Sequence, residues 1–159
     1  MTTKEDVIAA LEGFQAAVDD LVEMLPKSEW EKGVYENGWN AKQTLAHMAS
    51  TAGVAGFILT LARTGPVVSR REGDSDFDND AFNAQQVVAR EKKTVEALLT
   101  EITDTLHRDK QVLKAAPEQI LAAPFQAPWG EKGTVADIIA GSFTEHLGGH
   151  VNDLKAAVA

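Results

Sequence analysis

The chain has 159 residues, 44% hydrophobic and 25% charged, a composition typical of one compact globular domain and too apolar for a disordered chain. Its 24 acidic residues outnumber 15 basic ones, and the resulting net charge of −9 disfavours general binding to nucleic acid phosphates. The sequence has no cysteine, which excludes disulfides and thiolate ligands and leaves histidine and oxygen as candidate metal ligands. We expect a single domain over residues 1–159.

Apolar spacing and stop signals predict the first two helices. From Lys4 to Leu25, apolar residues recur at alternating spacings of four and three, which is typical of one amphipathic helix. Pro26 ends this helix, and a loop follows. Asn40 and Gln43 have the spacing of a capping box, so a second helix is expected from about Ala41 to Arg63. Apolar residues on several of its faces indicate that this helix is largely buried.

Two further helices complete the predicted set. After a polar stretch to about Asp78, helical spacing resumes at Phe82 and predicts a third helix as far as Ala115. A proline-rich connection then leads to Thr134, which we expect to cap a fourth helix. No segment alternates convincingly with period two, so no sheet, repeat or second domain is expected. The pattern predicts an all-α fold, a four-helix bundle in a single domain.

The N-terminal residues and the apolar stretches bear on localisation. The chain starts with a charged amphipathic segment and lacks the apolar run of a signal peptide. The stretch from Ala52 to Ala62 is about half as long as a membrane-spanning helix. We therefore expect a cytoplasmic protein with no membrane role and a small-molecule substrate, and we leave a homodimer open as its assembly.

The positions of the four histidines are the main functional signal. His146 and His150, four positions apart, would lie about 40° apart around one helix and about 6 Å apart along it. They share a stripe with apolar residues, so both rings are expected to point into the bundle, as is His47 from the buried second helix. Such residues are either hydrogen-bonded core histidines or ligands of a metal with one open position, and spacing alone does not decide. His107 lies among polar residues and is expected to be solvated.

Three segments resemble a known superfamily. The stretch from Gly38 to His47 is similar to the W-[ST]-x-K-x-x-L-x-H-L start of helix two in DinB/YfiT-like proteins. The stretch from Gly133 to His150 resembles their last helix, with its H-x-x-x-H pair. The run from Asp78 to Asn83 is similar to the start of helix three in the related maleylpyruvate isomerase-like proteins. The resemblance covers nearly the whole chain and implies a four-helix bundle.

The resemblance also implies a metal and an activity. It implies a divalent ion, often nickel or zinc, on His47, His146 and His150. The best-understood members are thiol-dependent transferases and isomerases that use mycothiol, bacillithiol or glutathione, and a DfsB-like branch contains self-resistance proteins. We therefore expect a metal-dependent enzyme that activates a small thiol or water against a small electrophile. A non-catalytic protein that sequesters a ligand or senses stress is the alternative.

Weaker signals add further candidate site residues. Many superfamily members have glutamine three residues after the last ligand, where this chain has Asp153. Asp153 projects close to His146 on a helical wheel, so it is a candidate to accept a hydrogen bond from a ligand histidine or to be an occasional fourth ligand, and the alternative is a solvated surface acid. Asp153 and Glu145 are the acids near the ligands on helix four and are therefore the candidates for a catalytic role. Trp39 either borders the pocket or is a hydrophobic staple of helix two. Asn83 and Arg90 are candidates for binding an anionic or amide cofactor group.

Overall fold

The computed structural model describes residues 1–64 and 79–157, and most of this part of the chain is helical. The predicted polar connection between Gly65 and Asp78 lies outside the described residues. The helices are α1 (Lys4–Met24), α2 (Ala41–Thr51), α3 (Val54–Arg63), α4 (Asn79–Ala89), α5 (Val95–Ala115), α6 (Glu118–Leu121), α7 (Val135–Gly141) and α8 (Gly148–Ala156). The other elements are the 3₁₀ turns Lys27–Glu29 and Glu36–Gly38, the strands β1 (Pro124–Gln126) and β2 (Lys132–Thr134), and a π-helical segment, Ser142–Leu147, between α7 and α8.

The bundle is built from four rods, namely α1, the α2–α3 pair, α5, and the series from α7 through the π-helical segment to α8. The first rod contacts α5, α7 and α8, the α2–α3 pair contacts α5, α7 and α8, and α4 lies against α2. Their apolar faces form one core, in which each large side chain contributes roughly 1.5–3 kcal/mol by burial. Its largest fully buried members are Leu11, Leu21, Leu45, Met48, Ile58, Leu59, Leu98, Ile102, Leu106, Leu113, Ile138 and Phe143. The predicted all-α four-helix bundle is confirmed.

Both predicted capping residues stand at the start of a rod that carries histidines of the motifs. The Asn40 side chain accepts the Gln43 N–H at 2.8 Å, and the Gln43 side chain accepts the Asn40 N–H at 2.9 Å. Thr134 and Asp137 make the same reciprocal pair, at 3.0 Å in both directions. Each pair satisfies two backbone donors that the first turn of a helix leaves free. These local contacts fix where α2 and α7 start.

The prediction of one continuous helix from Ala41 to Arg63 is wrong in one respect, because the helix is interrupted between α2 and α3. The Ser50 and Thr51 hydroxyls donate to the His47 carbonyl at 2.8 and 3.0 Å, respectively. Hydroxyls bonded in this way compete with the backbone ladder and often bend helices. Gly53, which follows, is a weak helix former and becomes the N-cap of α3.

The start of α3 is completed by a residue of another rod. Gly53 has no side chain with which to cap the helix, and the Asp109 carboxylate of α5 instead accepts the Gly56 N–H at 3.0 Å. A Cβ atom at Gly56 would lie 2.8 Å from Asp109 Oδ1, so the close approach depends on glycine. Burial raises the pKa of Asp109, while the Gly56 bond and the charge of Arg108 act in the opposite direction.

The prediction of one helix from Phe82 to Ala115 is also wrong, because α4 and α5 are separate helices. The Arg90 N–H donates to the Val87 carbonyl at 3.1 Å and closes a turn after α4. Thr94 then caps α5, its hydroxyl accepting the Ala97 N–H at 3.0 Å. The apolar spacing continues across this turn, and for that reason periodicity alone did not reveal it.

The expectation that the chain contains no sheet is corrected by a small hairpin. The strands β1 and β2 are antiparallel, with Pro124 opposite Thr134 and Gln126 opposite Lys132. Gly130 in the connecting loop has a φ of +101°, a conformation that glycine adopts without strain. Strands of three residues are too short to show an alternating pattern, and the hairpin therefore left no period-two signal.

The α2–α3 run is the one stretch of the described chain that has the length and composition to cross a membrane. It comprises 23 residues, Ala41–Arg63. A stretch of 18 residues within it has a mean hydropathy of 1.5, and half of that stretch is buried inside the bundle. Core helices of soluble proteins meet the same criteria, and the run is therefore weak evidence for a membrane segment.

Candidate metal centre

Three histidines from two rods converge at one point of the bundle. The candidate ligand nitrogens of His47, His146 and His150 all lie within 4.8 Å of one another. The ring centroids are 4.9 Å apart for His47 and His150, 5.0 Å for His146 and His150, and 5.9 Å for His47 and His146. Each pair meets nearly edge-on, at 82–89° between ring planes. This arrangement brings nitrogen lone pairs towards a shared space.

His47 shows why this space suits a cation. The residue is 2% exposed, and its Nδ1 atom has no hydrogen-bond partner among the described residues. Burial, followed by the charges of His150 and His146, lowers the pKa of His47 to about 4, so the ring is neutral at pH 7. A buried polar nitrogen without a partner is costly, and a neutral imidazole is the form that binds metals. The donor set therefore fits a divalent ion.

The distances between the three nitrogens are close to those between ligand nitrogens on one bound ion. Zinc–nitrogen bonds of about 2.0–2.1 Å keep any two ligand nitrogens within about 4 Å of each other. The 4.8 Å limit of this cluster is slightly wider. The three side chains would therefore have to move slightly closer together for all three nitrogens to bind one ion.

The three rings differ in exposure. His47 and His150 are buried, but His146 is exposed, so the expectation that both rings of the last helix are buried is wrong for His146. His146 belongs to the π-helical segment, in which side chains follow one another at a different angle from those of a continuous α-helix. This segment was not predicted from the sequence, in which Gly148 and Gly149 inside a predicted helix were the available signal. The exposed ring gives solvent molecules access to the site.

Trp39 forms one wall of the site. Its ring centroid lies 5.0 Å from that of His47, with 38° between the ring planes, and the side chain is 8% exposed. The Trp39 carbonyl accepts the Tyr35 N–H at 2.8 Å, which ties the loop before α2 to this position. Trp39 is therefore placed to restrict the orientation of the His47 ring.

The other predicted cofactor-binding residues lie on or just after α4. The Arg90 guanidinium contacts Glu101 through two of its nitrogens at 2.8–3.1 Å and also donates to the Gln86 side chain at 2.9 Å. Arg90 and Lys42 line a cleft of about 200 Å³ beside the first turns of α2. Asn83 is half-buried on α4. The Arg90 charge is thus engaged within the protein.

The structure does not bring the predicted acidic candidates into the histidine cluster. Glu145 and Asp153 are exposed, and the three-residue group of candidate ligands contains histidines alone. His107 is exposed on α5 and is also outside the group. A catalytic role of either acid remains a prediction.

Comparison with known families agrees with this geometry. The family model described as the mycothiol maleylpyruvate isomerase N-terminal domain matches residues 11–155. The chain belongs to this family. The match covers all three histidines and, with the structural likeness below, confirms the DinB/YfiT-like superfamily to which the sequence motifs pointed. Among curated proteins, no sequence matches this chain.

Solved structures share the fold at low sequence identity. YfiT from Bacillus subtilis, described as a probable metal-dependent hydrolase with an unusual four-helix bundle topology, has a TM-score of 0.70 and 18% identity, covering 98% of this chain and 87% of YfiT. The mycothiol-dependent maleylpyruvate isomerase has a TM-score of 0.73 and 14% identity over 97% of this chain. The match spans 63% of that isomerase, which is less than two thirds of its length.

A third similar structure is the colibactin self-resistance protein ClbS in complex with double-stranded DNA. Its TM-score is 0.66 with 13% identity, covering 98% of this chain and 97% of ClbS. At such identities the likeness establishes the fold, and the activities of the three proteins differ in their descriptions. The described activities are therefore those of the three proteins, and the fold is what this chain shares with them.

Proposed function

We propose that the protein is a metal-dependent enzyme that activates a small thiol, or water, against a small electrophilic substrate. In this proposal His47, His146 and His150 hold one divalent ion, nickel or zinc, and the thiol is mycothiol, bacillithiol or glutathione. The observation that carries the proposal is the convergence of three histidines around a buried Nδ1 atom that no described residue satisfies. The mycothiol-dependent isomerase with the same fold supports a thiol as cofactor.

The residues around the site have complementary tasks in this chemistry. A divalent ion held by His47, His146 and His150 would supply a nucleophile at neutral pH, because such an ion lowers the pKa of a water or thiol. His47 presents a neutral ring, held against Trp39, and the exposed His146 leaves the site open to solvent molecules. The chain has no cysteine, so a covalent intermediate on a protein thiol is excluded and the thiol must come from outside.

The proposal also includes a cytoplasmic location and small-molecule partners. The net charge of −9 supports the exclusion of nucleic acid as a general ligand. Binding of DNA belongs to ClbS, in whose structure it is seen. A homodimer remains a prediction.

The first test is metal content and metal-dependent turnover. Purified protein is analysed by elemental mass spectrometry and, after chelation, titrated with Ni²⁺ or Zn²⁺ by calorimetry. We expect one ion per chain, lost in His47→Ala and His150→Ala and retained in the matched control His107→Ala, whose histidine is exposed on α5. Helicity is expected to survive in every variant, because the buried apolar side chains supply the folding free energy.

The activity is then sought with the three thiols and a set of reactive electrophiles. Thiol-dependent turnover that chelation or the ligand variants abolish would support the proposal, and a metal-dependent hydrolysis without thiol would favour water as the nucleophile. Equal rates in native protein and His47→Ala would contradict catalysis at this centre. Metal binding with no turnover of any electrophile would favour the alternative, sequestration of a ligand.

A further inference from the structure

The helical pattern of the last rod is irregular beside the two histidines that this rod contributes to the cluster. The π-helical segment includes His146 and ends directly before α8, on which His150 lies. The Gly148 N–H donates to the Phe143 carbonyl, five residues earlier, and shares this bond with the Glu145 carbonyl. In a regular α-helix the same N–H would bond four residues back. The last rod therefore contains one residue more per turn at this point.

Side-chain hydroxyls support the change of register. Ser142 Oγ donates to the Ile138 carbonyl at 2.8 Å, and Thr144 Oγ1 donates to the Ala140 carbonyl at 3.1 Å. Both carbonyls lie in the last turn of α7, where the backbone ladder passes from the α to the π pattern. The hydroxyls supply donors there and so reduce the cost of the wider turn.

At Gly148 the wide turn leaves little room for a side chain. A Cβ atom there would lie 3.1 Å from the Phe143 carbonyl oxygen, which is closer than ordinary van der Waals contact. The next residue, Gly149, has open space, with no atom within 4 Å of a Cβ built on it. An added methyl group would thus press on the Phe143 carbonyl at position 148, whereas it would meet no atom at position 149.

The wide turn bears on the direction of the His146 side chain. One extra residue in a turn rotates the side chains on either side of it by roughly 100° relative to each other. An unbroken helix would place His146 and His150 on one buried face, whereas here His146 is exposed and still lies 5.0 Å from His150. We propose that Gly148 is a positioning residue, which keeps the π turn and thereby holds His146 at the rim of the site, facing His47. The inference rests on the proposed function in taking His146 as a metal ligand.

The test compares Gly148→Ala with the matched control Gly149→Ala. Both variants replace a glycine by a better helix former, so propensity alone predicts that both stabilise the metal-free protein. We expect Gly148→Ala to weaken the binding of Ni²⁺, the probe ion, by about tenfold or more, and Gly149→Ala to leave it unchanged. Crystal structures of the metal-free variants are expected to show the N–H of residue 148 bonded to the Thr144 carbonyl in Gly148→Ala alone, with the His146 ring displaced from its native position 5.9 Å from the His47 ring.

Thr144→Val is a second variant that adds no atom inside the turn. It removes the hydroxyl that bonds to the Ala140 carbonyl, and it is expected to weaken Ni²⁺ binding in the same direction as Gly148→Ala. Circular dichroism on each variant confirms that the bundle is folded. A Thr144→Val protein with native affinity and an α register in place of the wide turn would count against the role of the wide turn.

The two proposals fail in different ways. If Gly148→Ala keeps the bond to Phe143 and the native position of His146, the inference is overturned whether or not the protein binds nickel. If the register changes but Ni²⁺ affinity equals that of Gly149→Ala, the inference is overturned as well. If the unmodified protein binds no metal, the proposed function fails, while the structures of the variants still decide whether Gly148 places His146.

Discussion

Replacement of Asp109 or Gly56 probes the contact that joins α3 to α5. Asp109→Ala removes the acceptor of the Gly56 N–H, and a part-buried donor left without a partner costs about 1–3 kcal/mol. Removing a buried carboxylate whose pKa is raised offsets part of this loss, so we expect a decrease of about 1–2 kcal/mol in the free energy of unfolding. Asp109→Asn keeps an acceptor without the charge and is expected to leave the free energy of unfolding at pH 7 nearly unchanged.

Gly56→Ala allows the contact to be measured as a coupling. Alanine gains about 1 kcal/mol in helix propensity, but its Cβ would displace the Asp109 carboxylate from 2.8 Å, at a cost of about 1–3 kcal/mol. In the Asp109→Ala background the displaced group is absent and the gain of the alanine emerges. The double-mutant cycle is therefore expected to show a coupling of about 2 kcal/mol, measured by urea unfolding of metal-free protein.

Controls and pH separate this contact from general effects. Gly13→Ala, on α1 with open space around its Cβ, measures propensity alone, and Asp104→Ala removes an exposed acid from α5. Because the folded pKa of Asp109 lies above 3.8, the folded state binds more protons just above pH 3.8, and the contribution of this group to stability falls as pH rises through its folded pKa. If the stability changes of Gly56→Ala and Asp109→Ala add within about 0.5 kcal/mol in the double variant, the reasoning is refuted.

Two further predictions concern the remaining titratable contacts. Arg90→Ala is expected to lower the free energy of unfolding by about 1–2 kcal/mol, because it removes the half-buried ion pair with Glu101. The affinities for thiol and metal are expected to stay unchanged. A variant that loses its thiol affinity but keeps native stability would instead favour cofactor binding by Arg90. The pKa of His47 is lowered from 6.5 to about 4, so the unfolded chain binds more protons between these values, and metal-free protein is expected to lose about 3 kcal/mol of stability as pH falls from 6.5 to 4. Urea unfolding across this range checks the second prediction against His47→Gln, and identical pH profiles would contradict it.

The sequence by itself determined the features that depend on neighbours along the chain. The caps at Asn40 and Thr134 use residues three positions apart, and the stripe of α1 repeats within each turn, so both could be predicted without a fold. The three histidines were nominated in the same way, by their spacing and by motifs in the two stretches that contain them. Their convergence could be expected but not measured, because His47 lies on a different rod from His146 and His150.

The tertiary structure alone decided the interruptions of the helices and the exposure of the ligands. At the start of α3 the Gly56 N–H donates to Asp109, a residue 53 positions away along the chain, and no local sequence pattern predicts such a contact. The π turn depends on how closely the Gly148 backbone approaches the Phe143 carbonyl. This distance is set by packing and cannot be read from the spacing of residues in the sequence. Periodicity averages over a whole helix, and a single added residue shifts the pattern by one position, too little to be seen against it. That one residue sets His146 at the surface of the site while His47 and His150 stay buried.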